Sequence, residues 1–179
     1  MKKVNYSDYE GKYDENILTK MATSPESIDV EEMRATLYGY TFTPEYAKGI
    51  IPDALSMDYW RDHYLDGDDD DEILDLEAMM HEDKEGNFGL YLADSPQEQL
   101  ILQAIDSTGD GKSEETALCV INVQQEYEYI ERAWCLFNKN LVQQSVNNGI
   151  DKLELQDDFG NTEVVYFDVS RCFETLYYR

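Results

Sequence analysis

Carboxylates outnumber basic side chains by 39 to 14 in this 179-residue chain, a formal net charge of −25 at neutral pH. An unpaired charge is costly to bury, so a compact fold of this chain must keep most of those carboxylates in water. Divided at residue 92, the first part holds 8 basic and 23 acidic groups and the second 6 and 16. Both parts are anionic, so the charge is not a detachable tail. Cations are too few to neutralise a phosphate backbone, which argues against a nucleic-acid partner. The same deficit argues against an anionic membrane surface.

The rest of the composition favours folding. Hydrophobic residues make up 42% and aromatics 12%, with 14 tyrosines, enough apolar material to build a core. The start, Met1-Lys2-Lys3-Val4-Asn5, has no apolar run behind its charges, so no secretory leader is expected. The longest uninterrupted apolar runs, such as Ala117–Ile121, are far short of a membrane span. Three cysteines, Cys119, Cys135 and Cys172, lack metal-type spacing and form an odd set, which favours a reducing, cytoplasmic compartment.

Helix signals dominate the first part. Asp29-Val30-Glu31-Glu32 fits a capping box, with Ile28 and Met33 placed for a hydrophobic staple and Gly39 as a stop. The segment Tyr38–Pro44, with aromatics two apart, reads as a short extended piece. Ile73, Leu76 and Met80 predict a helix after the aspartate run. Ser95, Pro96 and Glu98 predict another, with Leu100, Ile101, Leu102 and Ile105 on its apolar face. Beyond Ser113 the run Leu118–Val123 fits either a helix or a buried strand. Residues 126–148 mix both signals, with 137–142 extended. Leu153 and Leu155 alternate with charged residues, 157–161 supply turn chemistry, and Val164–Phe167 are strand formers, together an antiparallel hairpin. The expected class is α+β in one domain over 1–179, with a helical part over about 1–112 and a mixed, mainly β part over about 113–179 containing a small antiparallel sheet.

Segment 106–113, Asp106-Ser107-Thr108-Gly109-Asp110-Gly111-Lys112-Ser113, invites two sharp readings. A phosphate loop needs glycine where Asp106 stands, and a carboxylate there would repel phosphate. A calcium loop starting at Asp106 needs a bidentate Glu where Ala117 stands. Asp106, Asp110 and Glu115 remain as candidate ligands for a weakly held divalent cation. The bland reading is a tight turn between two elements. The Asp66–Asp71 run reads as a solvated loop leading into a helix N-terminus. His63 and His81 belong to no catalytic pattern, and no cofactor is implied. Tyr38, Tyr40, Tyr59 and Trp60 sit in one aromatic-rich stretch, which fits either core packing or a protein interface.

Several segments in order resemble a known family. They are Leu37–Phe42, Gly109–Ser113 with Glu115-Thr116-Ala117, Val120–Val123 with Glu126-Tyr127, Asp151-Lys152-Leu153, and Val165–Ser170. The set resembles domain of unknown function 4919, from Bacteroides-type bacteria, over about residues 25–171. That resemblance implies no catalytic residues. It implies that the 109–117 turn and the Tyr166–Asp168 strand belong to the fold, and that similar chains often carry a leader.

The sequence therefore leads to a non-enzymatic module that binds a basic protein, of inhibitor or immunity type. Its contact candidates are Tyr38, Tyr40, Tyr59, Trp60, Asp68, Asp69 and Asp70. The competing expectation is a metal-assisted hydrolase or calcium-binding protein using the 106–115 turn.

Overall fold

The structure, a computed structural model, describes residues 4–65, 80–82, 88–90, 95–134 and 140–175. It is α+β: short helices come first and a four-stranded sheet comes last. The helices are α1 (Glu15–Thr23), α2 (Val30–Gly39), α3 (Pro44–Ala47), α4 (Met57–Leu65), α5 (Pro96–Asp106) and α6 (Val123–Trp134). A small hairpin, β1 (Met80–Glu82) with β2 (Phe88–Leu90), stands apart from the main sheet.

Helix starts obey the local chemistry. Asp29 and Glu32 form a reciprocal capping box at α2, and Ser95 and Glu98 form another at α5, with Pro96 in its first turn. Helix α2 ends at Gly39, but the chain then tightens into a 3₁₀ turn, Tyr40–Phe42, where an extended piece was expected. Spacing of two suits an extended strand, yet here Tyr38 belongs to the last turn of α2 and Tyr40 to the following turn. Each can then drive its ring inward. The helix expected over residues 73–80 lies almost wholly outside the described residues, and Met80 begins β1.

The main sheet runs β3 (Leu118–Cys119), β6 (Thr162–Asp168), β5 (Ile150–Gln156), β4 (Asn140–Asn147). The expected hairpin is β5–β6, antiparallel with Leu153 opposite Val165. Helix α6 leads from β3 to β4. β3 lies parallel to β6, so the sheet is mixed: three antiparallel strands plus one parallel stub. The ambiguous run resolves into three pieces. Ser113 caps a 3₁₀ turn at Glu114–Thr116, β3 follows, and α6 begins at Val123. Strands β4 and β5 are joined through Asn148 and Gly149, both at positive φ, as a two-residue hairpin turn requires.

The core takes residues from both halves: Met21, Met33, Leu37, Ile101, Leu102 and Ile105 from the helices, Leu153, Leu155, Val165 and Phe167 from the sheet. Between them runs Ala117–Ile121, every residue buried. Only two of its residues form a strand, so most of its backbone groups need other partners. The hydroxyl of Tyr38 donates to the Cys119 carbonyl at 2.7 Å, that of Tyr6 to the Val120 carbonyl at 2.9 Å, and that of Tyr46 to the Ile121 carbonyl at 2.5 Å. On the donor side, Cys119 N–H reaches Thr108 Oγ1 at 2.9 Å and Ile121 N–H reaches Gln125 Oε1 at 3.0 Å. Burial pushes the Tyr6 and Tyr38 phenols well above their ordinary pKa, so both stay donors. Tyr38→Phe removes one hydroxyl and strands a buried carbonyl. The expected loss is about 1–3 kcal/mol, read as a lower urea midpoint at unchanged slope.

Candidate functional site

Functional groups concentrate on α6, which buries polar residues where an amphipathic helix would bury apolar ones. Asn122 caps it, accepting from Gln125 N–H at 2.8 Å. Gln125, Glu126, Glu128, Tyr129 and Arg132 are all buried along one side of this helix. The sequence carries a helical period here, with Val123, Tyr127, Ile130 and Trp134 at i, i+4, i+7 and i+11, but that apolar stripe does not mark the buried side: Tyr127 is exposed while Gln125, Glu128 and Arg132 are buried. Asn122 followed three residues on by Gln125 adds a helix-start pattern.

Arg132 is the centre of the first cluster. Its Nε lies 2.7 Å from Glu98 Oε1 and its terminal nitrogens 2.8 Å from Asp58 Oδ1 and 3.1 Å from the Glu128 carbonyl. Arg132 and Glu98 are 1% and 0% exposed. Glu98 uses its second oxygen to close the capping box of α5, with 2.9 Å contacts from both Ser95 N–H and Ser95 Oγ. One carboxylate thus starts a helix and neutralises a buried cation. The Glu128 carboxyl takes donors from Ser56 Oγ at 2.9 Å and Gln124 Nε2 at 3.1 Å. Burial, then the nearby Asp58, raises its pKa. The cluster ties α4, α5 and α6 together. Arg132→Met leaves Glu98 buried without its cation, and about 3–5 kcal/mol of stability should be lost. The double variant Arg132→Met/Glu98→Gln should recover part of that loss in denaturant titrations, because the stranded charge is gone.

The second cluster is an acid pair. Glu126 on α6 and Asp151 on β5 are both buried. Neither Glu126 oxygen nor Asp151 Oδ1 meets a donor, while Asp151 Oδ2 accepts from Gln144 Nε2 at 2.5 Å. Two facing carboxyls so short of donors hold together by sharing a proton. Burial first, then the Asp151 charge, raises Glu126 to about 9. Burial also raises Asp151. The chain of contacts continues outward, since Gln144 Oε1 accepts from the exposed Tyr127 hydroxyl at 2.8 Å.

That proton sets a pH dependence. Glu126 is protonated when folded up to about pH 9, whereas an exposed Glu releases its proton near 4.5. Between these limits the folded state holds the extra proton, so stability is full below 4.5 and falls as pH rises toward 9. The slope reaches about 1.4 kcal/mol per pH unit for one proton. Glu126→Gln keeps a donor for Asp151 and removes the titration. It should match the wild type near pH 5 and be the more stable protein at pH 8 in denaturant titrations. Glu128, whose pKa is also raised, leaves a residual slope.

A cavity of about 450 Å³ lies where α3 approaches the start of α6 and the 3₁₀ turn Ser170–Glu174. Its lining, including Tyr46, Ile121, Val123, Cys172 and Thr175, carries no charged side chain. Burial pushes the Cys172 thiol up to about 12, so its thiolate is not available as a nucleophile at neutral pH.

The residues singled out from sequence are dispersed. Asp106, at the end of α5, accepts from the Tyr129 hydroxyl at 2.5 Å. Asp110 folds the turn on itself, accepting from Lys112 N–H at 3.0 Å and Thr116 Oγ1 at 2.5 Å. Glu115 is exposed on the 3₁₀ turn. Among the described residues, no three acidic, histidine or cysteine side chains converge as metal ligands. The turn is tight because Gly109 abuts backbone: a Cβ there would sit 2.1 Å from the Thr116 carbonyl oxygen. Tyr38 and Tyr40 are buried and committed to the Cys119 and Ile50 carbonyls. Trp60 is buried and donates to the Ala54 carbonyl at 2.9 Å, and Tyr59 is half-buried against His63. The stretch from Tyr38 to Trp60 therefore builds core more than surface. Asp68, Asp69 and Asp70 lie outside the described residues.

The profile of Domain of unknown function (DUF4919) matches residues 79–177. The chain belongs to this family. The match covers the sheet, α5, α6 and the 109–117 turn, and starts well after residue 25, where the resemblance was expected to begin. Leu37–Phe42 thus lies outside the matched part. Neither a curated protein nor a solved structure matches the chain. No helix among the described residues is long and apolar enough to cross a membrane.

Proposed function

We propose that this DUF4919 protein is a non-enzymatic module that binds a basic protein, in the manner of an inhibitor or immunity protein masking a cationic partner. The observation that carries the reading is where the positive charge goes. Arg132 is buried between Glu98 and Asp58, and Arg61 is paired with Asp58 at 3.1 Å and Glu131 at 2.8 Å. Arg34 pairs with Glu31 beside the Tyr9 ring, and Arg171 donates to the Thr41 carbonyl over the Phe42 ring. Each described arginine is engaged within the fold, and the exposed cations are lysines such as Lys12, Lys48, Lys112 and Lys152, while Asp8, Glu10, Asp14, Glu15, Glu26 and Glu45 are among the exposed carboxylates. Such a surface attracts cations and repels nucleic acid and anionic lipid. The buried thiols of Cys119 and Cys172 suit a cytoplasmic setting.

Asp106 and Asp110 each accept from a hydroxyl within the fold and Glu115 is exposed, so among the described residues the metal-assisted alternative has no converging ligand set behind it. The test is capture from source cells followed by identification and titration of the captured protein with this one. A basic partner is expected, with an association rate that falls about tenfold or more between about 50 and 300 mM salt. A neutral or acidic partner, or a rate indifferent to salt, overturns the reading.

A further inference from the structure

β4 ends the main sheet, and among the described residues its outer edge pairs with no strand. All eight of its residues are exposed. Natural edge strands are commonly guarded by lysine, proline or an inward-pointing charge. Asn140–Asn147 contains none of these, in a chain where nearly a third of residues are charged. The one guarding device it carries is a register shift, a β-bulge, at Val142.

That shift sets which side chains share a face. Leu141, Gln144 and Val146 stand opposite Leu155, Leu153 and Asp151. Directly paired residues point to the same side of a sheet. The β5 members are buried under the helices, whereas Leu141 and Val146 are 42% and 52% exposed. The described helices therefore cover β5 and leave β4 open on its apolar side. Tyr127, itself 43% exposed, marks the near wall, with its hydroxyl on Gln144. On the opposite face Gln143 pairs with Glu154 and Ser145 with Lys152. That face therefore carries one carboxylate, Glu154, toward the Asn140 end and one ammonium, Lys152, toward the Asn147 end.

We propose that β4 is a docking edge on which an extended, cationic segment of another protein adds as a fifth strand. This rests on the basic-partner reading and supplies its place and mode. Apolar residues of the incoming strand cover Leu141 and Val146, and its alternate residues carry lysine or arginine on the Glu154 side. Charge selects the occupant. A second copy would bring another −25 to the contact, whereas a cationic strand is drawn in and meets an edge with no carboxylate of its own to desolvate.

The probe is an octapeptide alternating valine and lysine, compared with its valine–glutamate counterpart and with a form N-methylated at alternate amides. The lysine peptide should bind the full chain, more weakly at high salt, and slow amide hydrogen exchange within β4. N-methylation along the pairing edge should weaken binding about tenfold or more, because ladder hydrogen bonds are lost. Val146→Lys should weaken it similarly, with its thermal midpoint within about 2 °C of wild type because the site is exposed. Ile50→Ser, at an exposed apolar residue elsewhere, should bind as wild type does. Salt-sensitive binding with unchanged β4 exchange, or equal binding of the N-methylated peptide, overturns strand addition and leaves the basic-partner reading intact. Tighter binding of the glutamate peptide removes both. Failure of the lysine peptide to bind removes strand addition, and capture of no basic partner then removes the broader reading as well.

Discussion

Ala117–Ile121 is the segment on which the two halves of the molecule meet, and its backbone is completed mainly by side chains. Three tyrosine hydroxyls from the helical half reach three consecutive carbonyls, that of Tyr6 sharing its proton with the Asp168 carbonyl at 2.7 Å. A buried carbonyl without a donor costs about 1–3 kcal/mol, so three of them make this contact as consequential as a layer of core packing. Ladder hydrogen bonds would have served equally well, but β3 stops after two residues because the chain must turn into α6. Tyrosine solves the problem by supplying apolar bulk and a donor at the end of it. The profile match begins at residue 79, so Tyr6, Tyr38 and Tyr46 all lie outside the matched part. The conformation of the matched part therefore depends on residues that precede it.

What was legible in the sequence followed the reach of local chemistry. Capping boxes at Asp29 and Ser95 are four-residue events and were readable as such. The β5–β6 hairpin was readable because its strands alternate and its turn is rich in Asp, Gly and Asn. α6 carries the period of a helix in Val123, Tyr127, Ile130 and Trp134, but that period names the wrong side to bury, since the helix buries Glu126, Glu128 and Arg132 and leaves Tyr127 exposed. The turn into β5 carried a readable signal in Asn148-Gly149, overlooked because β4 lacks the alternation that usually flags a strand. That missing alternation has its own cause: with both faces exposed, nothing imposes an apolar period on β4. Tyr38 and Tyr40 show the opposite limit, because composition cannot tell a ring with a buried carbonyl to satisfy from a ring awaiting a partner.

The two polar clusters on α6 spend stability in different ways. The Arg132 cluster is fully paired, and what it adds is geometry: Glu98 can bridge Ser95 and Arg132 only if α5 and α6 cross at one position. A hydrophobic replacement of similar volume could pack as tightly without specifying that crossing. The Glu126–Asp151 pair is short of donors and is held by a proton supplied from solvent. It therefore makes the contact between α6 and β5 weaken as pH rises, unlike the usual acidic protein whose paired carboxylates fail at low pH. Gln144 links this pair to Tyr127, so the apolar side of β4 and the acid pair share one hydrogen-bonded chain.

Charge economy connects these features. A chain with so few cations cannot pair most of its carboxylates, and its described arginines are drawn inward or onto neighbouring rings and carbonyls. The exterior carries a net excess of carboxylates, which keeps like molecules apart. That repulsion does what edge lysines do in other sheets: it discourages copies of the chain from pairing edge to edge. An uncharged β4 is then tolerable, because the guard against self-association is spread over the whole surface. The same repulsion would turn to attraction for a partner of opposite sign, which is how the proposed cationic strand fits this distribution of charge.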